Sequence, residues 1–232
     1  MDVKWARAWF AVTAACVAVG VIMQLVLAWQ NHMPEIAETG ELFQKFGGSP
    51  LTRALNVFAF FTVQSNLIVG ATSLLLAINP NRSSNVFSVF RLIGLVAITV
   101  TGIVYHVALG DLFRLDSWAL AADQLLHTVV PVMMVVGWVT FGPRGLTSPR
   151  VVKLTILFPL AYMIFTVIRG PLTSDWYPYP FADVHALGYA RVLINAVWIG
   201  LLFVSVAAGA AWIDKRLPTK QATPAVPAQT GP

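Results

Sequence analysis

Six stretches of this chain, residues 5–29, 53–78, 87–109, 119–141, 151–169 and 187–212, are each long and apolar enough to cross a lipid bilayer as a helix. A crossing helix needs about 20 mainly apolar residues, and it satisfies its backbone polar groups within itself. Six such runs exclude a single water-soluble core. Composition agrees, since 57% of residues are hydrophobic and 11% charged, against roughly a quarter charged in ordinary soluble domains. The expected fold is therefore all-α: a polytopic membrane protein with a bundle of six transmembrane helices over residues 1–216. The tail, LPTKQATPAVPAQTGP at 217–232, is rich in proline and small polar residues and is expected to be disordered. NPNRSSN at 79–85, FGPRGLTSPR at 141–150 and RGPLTSDWYPYP at 169–180 supply the turns between spans.

Charge sets the expected direction. Lys4, Arg7, Arg82, Arg91, Arg144, Arg150, Lys153, Lys215, Arg216 and Lys220, ten of the fifteen basic residues, fall on one side of a six-span arrangement. The other side takes Lys45, Arg53, Arg114, Arg169 and Arg191, with most of the acids: Glu35, Glu38, Glu41, Asp111, Asp116, Asp123, Asp175 and Asp183. The positive-inside rule then puts both termini in the cytoplasm. The net charge of +5 is scattered over loops without a basic stripe, so no nucleic-acid partner is expected. The single cysteine, Cys16, excludes an intramolecular disulfide framework and a multi-cysteine metal site. It follows VTAA, but the apolar run continues to Trp29, so the segment reads as a retained anchor with Cys16 packed inside it.

Polar side chains within spans are costly; they usually face the bundle interior and mark function. Span two, RALNVFAFFTVQSNLIVG, is interrupted by Thr62, Gln64, Ser65 and Asn66, with Thr62 and Asn66 on one helix face. Span four holds His127, with Asp123 one turn earlier to orient its imidazole. Taken as continuous helices, Thr62 lies about 14 Å inward from Arg53 and His127 about 14 Å inward from Trp118, which makes them neighbours in depth. His106 lies near the outer end of span three and Arg169 closes span five. Arg191 and Asn195 share a face of span six, and Trp176 and Tyr177 sit in DWYPYP. Each also has a structural reading. A threonine can bond its own i−4 carbonyl, and Gln64 and Asn66 can tie helices together. The arginines can snorkel and the aromatic residues can form an interfacial belt. His106 and Asp111 form H-x-x-x-x-D, but Gly110 separates them. No metalloprotease, P-loop or nucleophile-elbow motif occurs, and no histidines have the i,i+4 spacing of a metal site. Neither a metal nor a cofactor is expected.

FFTVQSNLIVG, LLHTVVPVMM and DWYPYPF, in this order and spacing, resemble the androgen-induced protein family of six-span membrane proteins, and its small bacterial members above all. The resemblance covers residues 5–212. Animal members are threonine hydrolases of fatty acid esters of hydroxy fatty acids. The resemblance implies Thr62 as nucleophile and His127 as base on a lipid or fatty-acyl ester in a bacterial inner membrane. It departs at Ser65, where animal members have an acidic or amide residue, and at Arg169, where they have histidine. Gln64, Ser65 or Asn66 could then donate to an oxyanion. Two other functions use the same residues: a non-catalytic membrane protein binding a lipid or protein partner, and a small transporter with Asp123, His106 and His127 as a proton relay.

Overall fold

A computed structural model describes residues 3–32, 35–36, 48–115 and 117–217. The tail beyond Leu217, with Lys220, lies outside the described residues, as do Glu38, Glu41, Lys45 and Asp116. Helix α1 covers Val3–Trp29, α2 Pro50–Val57, α3 Phe61–Ile78 and α4 Asn85–Val104. Next come α5, Ser117–Gln124, α6, Val130–Phe141, α7, Pro149–Leu172, and α8, Val184–Arg216. A π-turn at Tyr105–Leu109 extends α4, and another at Leu125–Val129 joins α5 to α6. Glu35–Ile36 and Phe113–Arg114 form a two-residue antiparallel pairing between loops.

Six continuous helical segments are long and apolar enough to span a membrane: Val3–Trp29, Phe61–Ile78, Asn85–Leu112, Ser117–Phe141, Pro149–Leu172 and Val184–Arg216. The protein is an all-α, multi-pass membrane bundle. Helix α4 is its centre, packing against α3, α6, α7 and α8. Val96, Ala97 and Ile98 in its middle are wholly buried. Helix α1 packs closely on α3 and α6, and small residues allow this approach. A Cβ on Gly70 would lie 2.9 Å from Val17, and one on Gly20 2.7 Å from Leu126. On α7 and α8 many large apolar side chains point outward, among them Leu157, Ile164, Ile168, Leu193 and Trp198. Such a surface suits acyl chains and would be a liability in water.

Span two is not the single continuous helix that the sequence suggests. It breaks at Phe58–Phe60, between α2 and α3, at NVFAFF, where neither glycine nor proline marks the site. Broken backbone at membrane depth needs partners from the protein, and they are present. Gln64 Nε2 donates to the Phe58 carbonyl at 3.0 Å. The Tyr162 hydroxyl donates to the Ala59 carbonyl at 3.1 Å. Tyr179 accepts from the Thr62 N–H at 3.2 Å. Span six is also interrupted, at Gly188, whose φ of 72° and ψ of 158° belong to a region open in practice to glycine alone.

Arginines close several helix C-termini, where free carbonyls and the helix dipole favour a cation. Arg53 donates to the Ala28 and Trp29 carbonyls of α1 at 2.9 and 2.8 Å. Arg7 donates to the Ala77 carbonyl of α3 at 2.8 Å. Arg144 donates to the Trp138 and Val139 carbonyls of α6. Burial lowers the Arg144 guanidinium from its ordinary value, and nearby Asp214 opposes that shift. Asp214 ties the loop before α7 to the end of α8, accepting from Thr147 Oγ1 at 2.7 Å and from the Gly145 N–H at 3.2 Å. Arg91 differs from the loop charges with which its sequence position groups it. It lies within α4 and is only 3% exposed, with its guanidinium 5.2 Å from the Phe10 ring and 3.3 Å from Ser73 Oγ.

Candidate functional site

The break in span two makes Thr62 the second residue of α3, so its N–H lacks a partner four residues earlier. The opposing wall is shaped by Pro131. A proline in a helix has no N–H and its ring crowds the carbonyl four residues before, here that of His127. The π-turn at Leu125–Val129 relieves this, because Val130 N–H bonds to the Leu125 carbonyl. That shift frees the Leu126 carbonyl, which Asn66 Nδ2 reaches at 3.1 Å. The two helices are thus pinned one turn below the reactive groups. π-turns recur at functional sites, and the second one here, Tyr105–Leu109, faces the first.

Thr62 Oγ1 lies 3.2 Å from His127 Nε2. His127 Nδ1 lies 2.9 Å from Asp123 Oδ1. That carboxylate is close but off the line a directed hydrogen bond requires, since Nδ1 has no aligned acceptor, and the contact is electrostatic. Tyr105 donates to Asp123 Oδ2 at 2.6 Å, and its ring stacks on His127 at 4.0 Å and 14°. The imidazole is therefore held on its face and at its rear edge. With the proton on Nδ1, beside the carboxylate, Nε2 offers a lone pair to the Thr62 hydroxyl.

Tyr179 completes the group. Its hydroxyl is 3.2 Å from Thr62 Oγ1 and also accepts from the Thr62 N–H. Burial raises its pKa, and the Thr62 and Phe61 contacts pull it back only partly. The phenol therefore stays protonated at neutral pH and remains a donor. Its ring stacks on Phe181 at 5.0 Å and meets Phe60 edge-on at 5.5 Å. A cavity of ≈ 330 Å³ opens at Thr62, His127 and Tyr179 and runs between α4, α7 and α8.

Ser65 and Asn66 are wholly buried beside Thr62, but both donate to the Thr62 carbonyl, at 3.0 and 2.8 Å. Gln64 caps the helix break instead of facing the cavity. An oxyanion would find Tyr179 before any of these three. His106 is exposed, its Nε2 3.2 Å from Thr128 Oγ1, and it does not line the cavity. Arg191 is exposed. Asn195 donates to the Phe181 carbonyl at 2.9 Å and so fixes the loop that carries Tyr179. Arg169 does not reach outward; it donates to Asn56 and lies 4.9 Å from the Trp176 ring. Trp176 and Tyr177 are buried supports of the same loop, with the Tyr177 phenol also raised by burial. In DWYPYPF the side chain that touches Thr62 is Tyr179, not the sequence candidates Trp176 and Tyr177. Tyr105 was equally hidden, as an apolar-looking position in VYHVALGD.

Tyr177 sits so tightly on Gly170 that a Cβ there would fall 2.1 Å from its ring. Gly170→Ala is expected to displace the loop and with it Tyr179. Overpacking of this kind costs about 1–3 kcal/mol, and thermal unfolding in detergent beside wild type would reveal it.

Among the described residues no group of three or more histidine, cysteine or acidic side chains is placed to hold a metal ion. Fold and site together define a six-span membrane protein with a Thr–His–Asp array, its threonine and aspartate buried and its histidine half-buried, at the head of an apolar cavity. No family model matches the chain, and no curated protein or solved structure is significantly similar to it.

Proposed function

We propose that this protein is an integral-membrane lipid ester hydrolase, with Thr62 as nucleophile and His127 as general base. The observation that carries this reading is the 3.2 Å approach of Thr62 Oγ1 to His127 Nε2 at the polar head of an apolar cavity. A hydroxyl is a weak nucleophile at neutral pH and needs a base within hydrogen-bond reach, about 2.6–3.2 Å. The resemblance to the androgen-induced protein family supports the same two residues.

The reaction runs in two steps. Thr62 Oγ1 bonds to the ester carbonyl carbon as its proton passes to His127 Nε2. The carbonyl oxygen becomes an oxyanion beside the Tyr179 hydroxyl and the α3 N-terminus, where donors and the helix dipole favour negative charge. The C–O bond to the alcohol breaks, and His127 returns the proton to the departing oxygen. Water, giving a proton to His127, then attacks the acyl-threonine carbonyl; the bond to Thr62 Oγ1 breaks, His127 returns the proton to Oγ1, and the fatty acid leaves. Asp123 favours the useful tautomer and the transient imidazolium. The charge distribution further supports cytoplasmic termini, and with the family resemblance a bacterial inner membrane.

The test is hydrolysis of a lipid-ester panel by purified protein in nanodiscs, with mass-spectrometric mapping of a fluorophosphonate adduct. Turnover and an adduct on Thr62 are expected. No turnover and no adduct from folded protein would leave lipid binding without chemistry. Proton-coupled flux in vesicles would favour a transporter.

A further inference from the structure

The cavity is polar at one end only. Thr62, Tyr105, His127, Tyr162 and Tyr179 gather where α3 begins and α4 closes, while the hydroxyl of Thr101, the other polar residue lining it, turns to Ser65 at 3.2 Å. From there the walls are apolar, and each helix contributes an innermost residue: Val100 on α4, Ile156 on α7, and Phe203 and Val204 on α8. Val100 and Phe203 are 2% and 1% exposed and belong to the packed core, so they close that end on its inner side, whereas Val204 is 44% exposed on the outer surface. One side is different. Leu160, Val197 and Leu201 line the cavity yet are 55%, 61% and 53% exposed on the outer surface. Between them Gly200 has nothing within 4 Å of where a Cβ would stand. The cavity is thus a blind apolar channel with a slit between α7 and α8 that faces the bilayer.

We propose that this channel seats one unbranched acyl chain with its carbonyl at Thr62, and that Phe203 sets the longest chain it accepts. The proposal rests on the hydrolase reading for the position of the carbonyl. Along α8 the lining runs from Ala196 to Val204, which is about 12 Å at 1.5 Å per residue. A zigzag of C–C bonds of about 1.5 Å advances a little over 1 Å per carbon, so roughly ten carbons fill it. A longer chain has to displace Phe203 from the core or leave through the slit, and both lose contacts that a shorter chain keeps. The alcohol half of the ester remains toward the slit and the outer mouth.

The experiment uses full-length protein in nanodiscs with p-nitrophenyl esters of straight-chain acids that differ only in acyl length. The kcat/KM is expected to climb to about ten carbons and then drop roughly tenfold or more over the next few methylenes, the discrimination a closed apolar pocket provides. Phe203→Leu should move that limit to longer chains, and Phe203→Trp to shorter ones. Each is measured as the long-to-short ester ratio, with folding checked by thermal unfolding. A parallel arm displaces a fluorescent fatty acid with free straight-chain acids, so the length limit is read without catalysis. Limits that move with Phe203 in the binding arm alone would support the channel while the hydrolase reading fails. A limit unchanged in both folded variants, or no length dependence at all, would overturn the proposal.

Discussion

His127→Ala is expected to lower ester turnover by about 10²–10⁴-fold, the usual contribution of a positioned general base. The geometry leaves no substitute, because His106, the nearest other imidazole in sequence on the adjoining turn, is exposed and engaged with Thr128. The same change should suppress fluorophosphonate labelling of Thr62, because the hydroxyl attacks phosphorus only when Nε2 takes its proton. Loss of the ring would also leave the Asp123 carboxylate, 6% exposed, with Tyr105 but without its neighbouring imidazole. An uncompensated buried charge destabilises a fold, so His127→Gln, which keeps a polar group of similar reach, is the paired variant. Loss of turnover and of labelling in both variants, with melting intact in the second, is the expected outcome. Labelling that persists at wild-type rate would show that Thr62 is activated by something else or is not the nucleophile.

Much of this arrangement was legible in the sequence, for a physical reason. Hydrocarbon permits few polar side chains, so a threonine and a histidine at matching depth stand out. The six spans follow from the same rule. What the sequence could not reveal was how polar groups are shared between segments. Depth counted from Arg53 along one continuous helix misses that α2 ends at Val57 and α3 begins at Phe61. That break depends on Gln64, Tyr162 and Tyr179 taking its loose backbone groups, and two of the three lie about a hundred residues away in the chain. Gln64 therefore read as a pocket residue when it is a cap. Asp123 was visible through its i,i+4 spacing to His127, but the π-turn that follows it was not. Arg91 looked like a loop charge because NPNRSSN ends nearby, yet α4 begins at Asn85 and carries it into the core. Tyrosine was the systematic blind spot. In a membrane protein it passes as an apolar or interfacial residue, and only tertiary contact shows where its hydroxyl points.

Tyr179→Phe removes one such hydroxyl and is expected to reduce kcat by about 10²–10³-fold, the loss typical of a missing oxyanion donor. The ring contacts with Phe181 and Phe60 do not need the oxygen, so the loop should stay folded. The oxygen stands 3.2 Å from both Thr62 Oγ1 and Thr62 N, beside the place where an ester carbonyl must arrive for attack. When substrate binds, the phenol, which can still accept from the Thr62 N–H, turns its proton from Thr62 Oγ1 toward the carbonyl oxygen. That interaction strengthens only as negative charge develops, so kcat should fall while KM stays near its wild-type value. A purely structural role predicts the opposite division. If Tyr179 served only to cap the start of α3, the phenylalanine variant would melt earlier, and activity would fall with the folded fraction. Steady-state kinetics and thermal unfolding on the same nanodisc preparation separate the two. An unchanged kcat at unchanged stability would remove Tyr179 from the chemistry and leave the α3 N-terminus as the remaining stabiliser of the oxyanion.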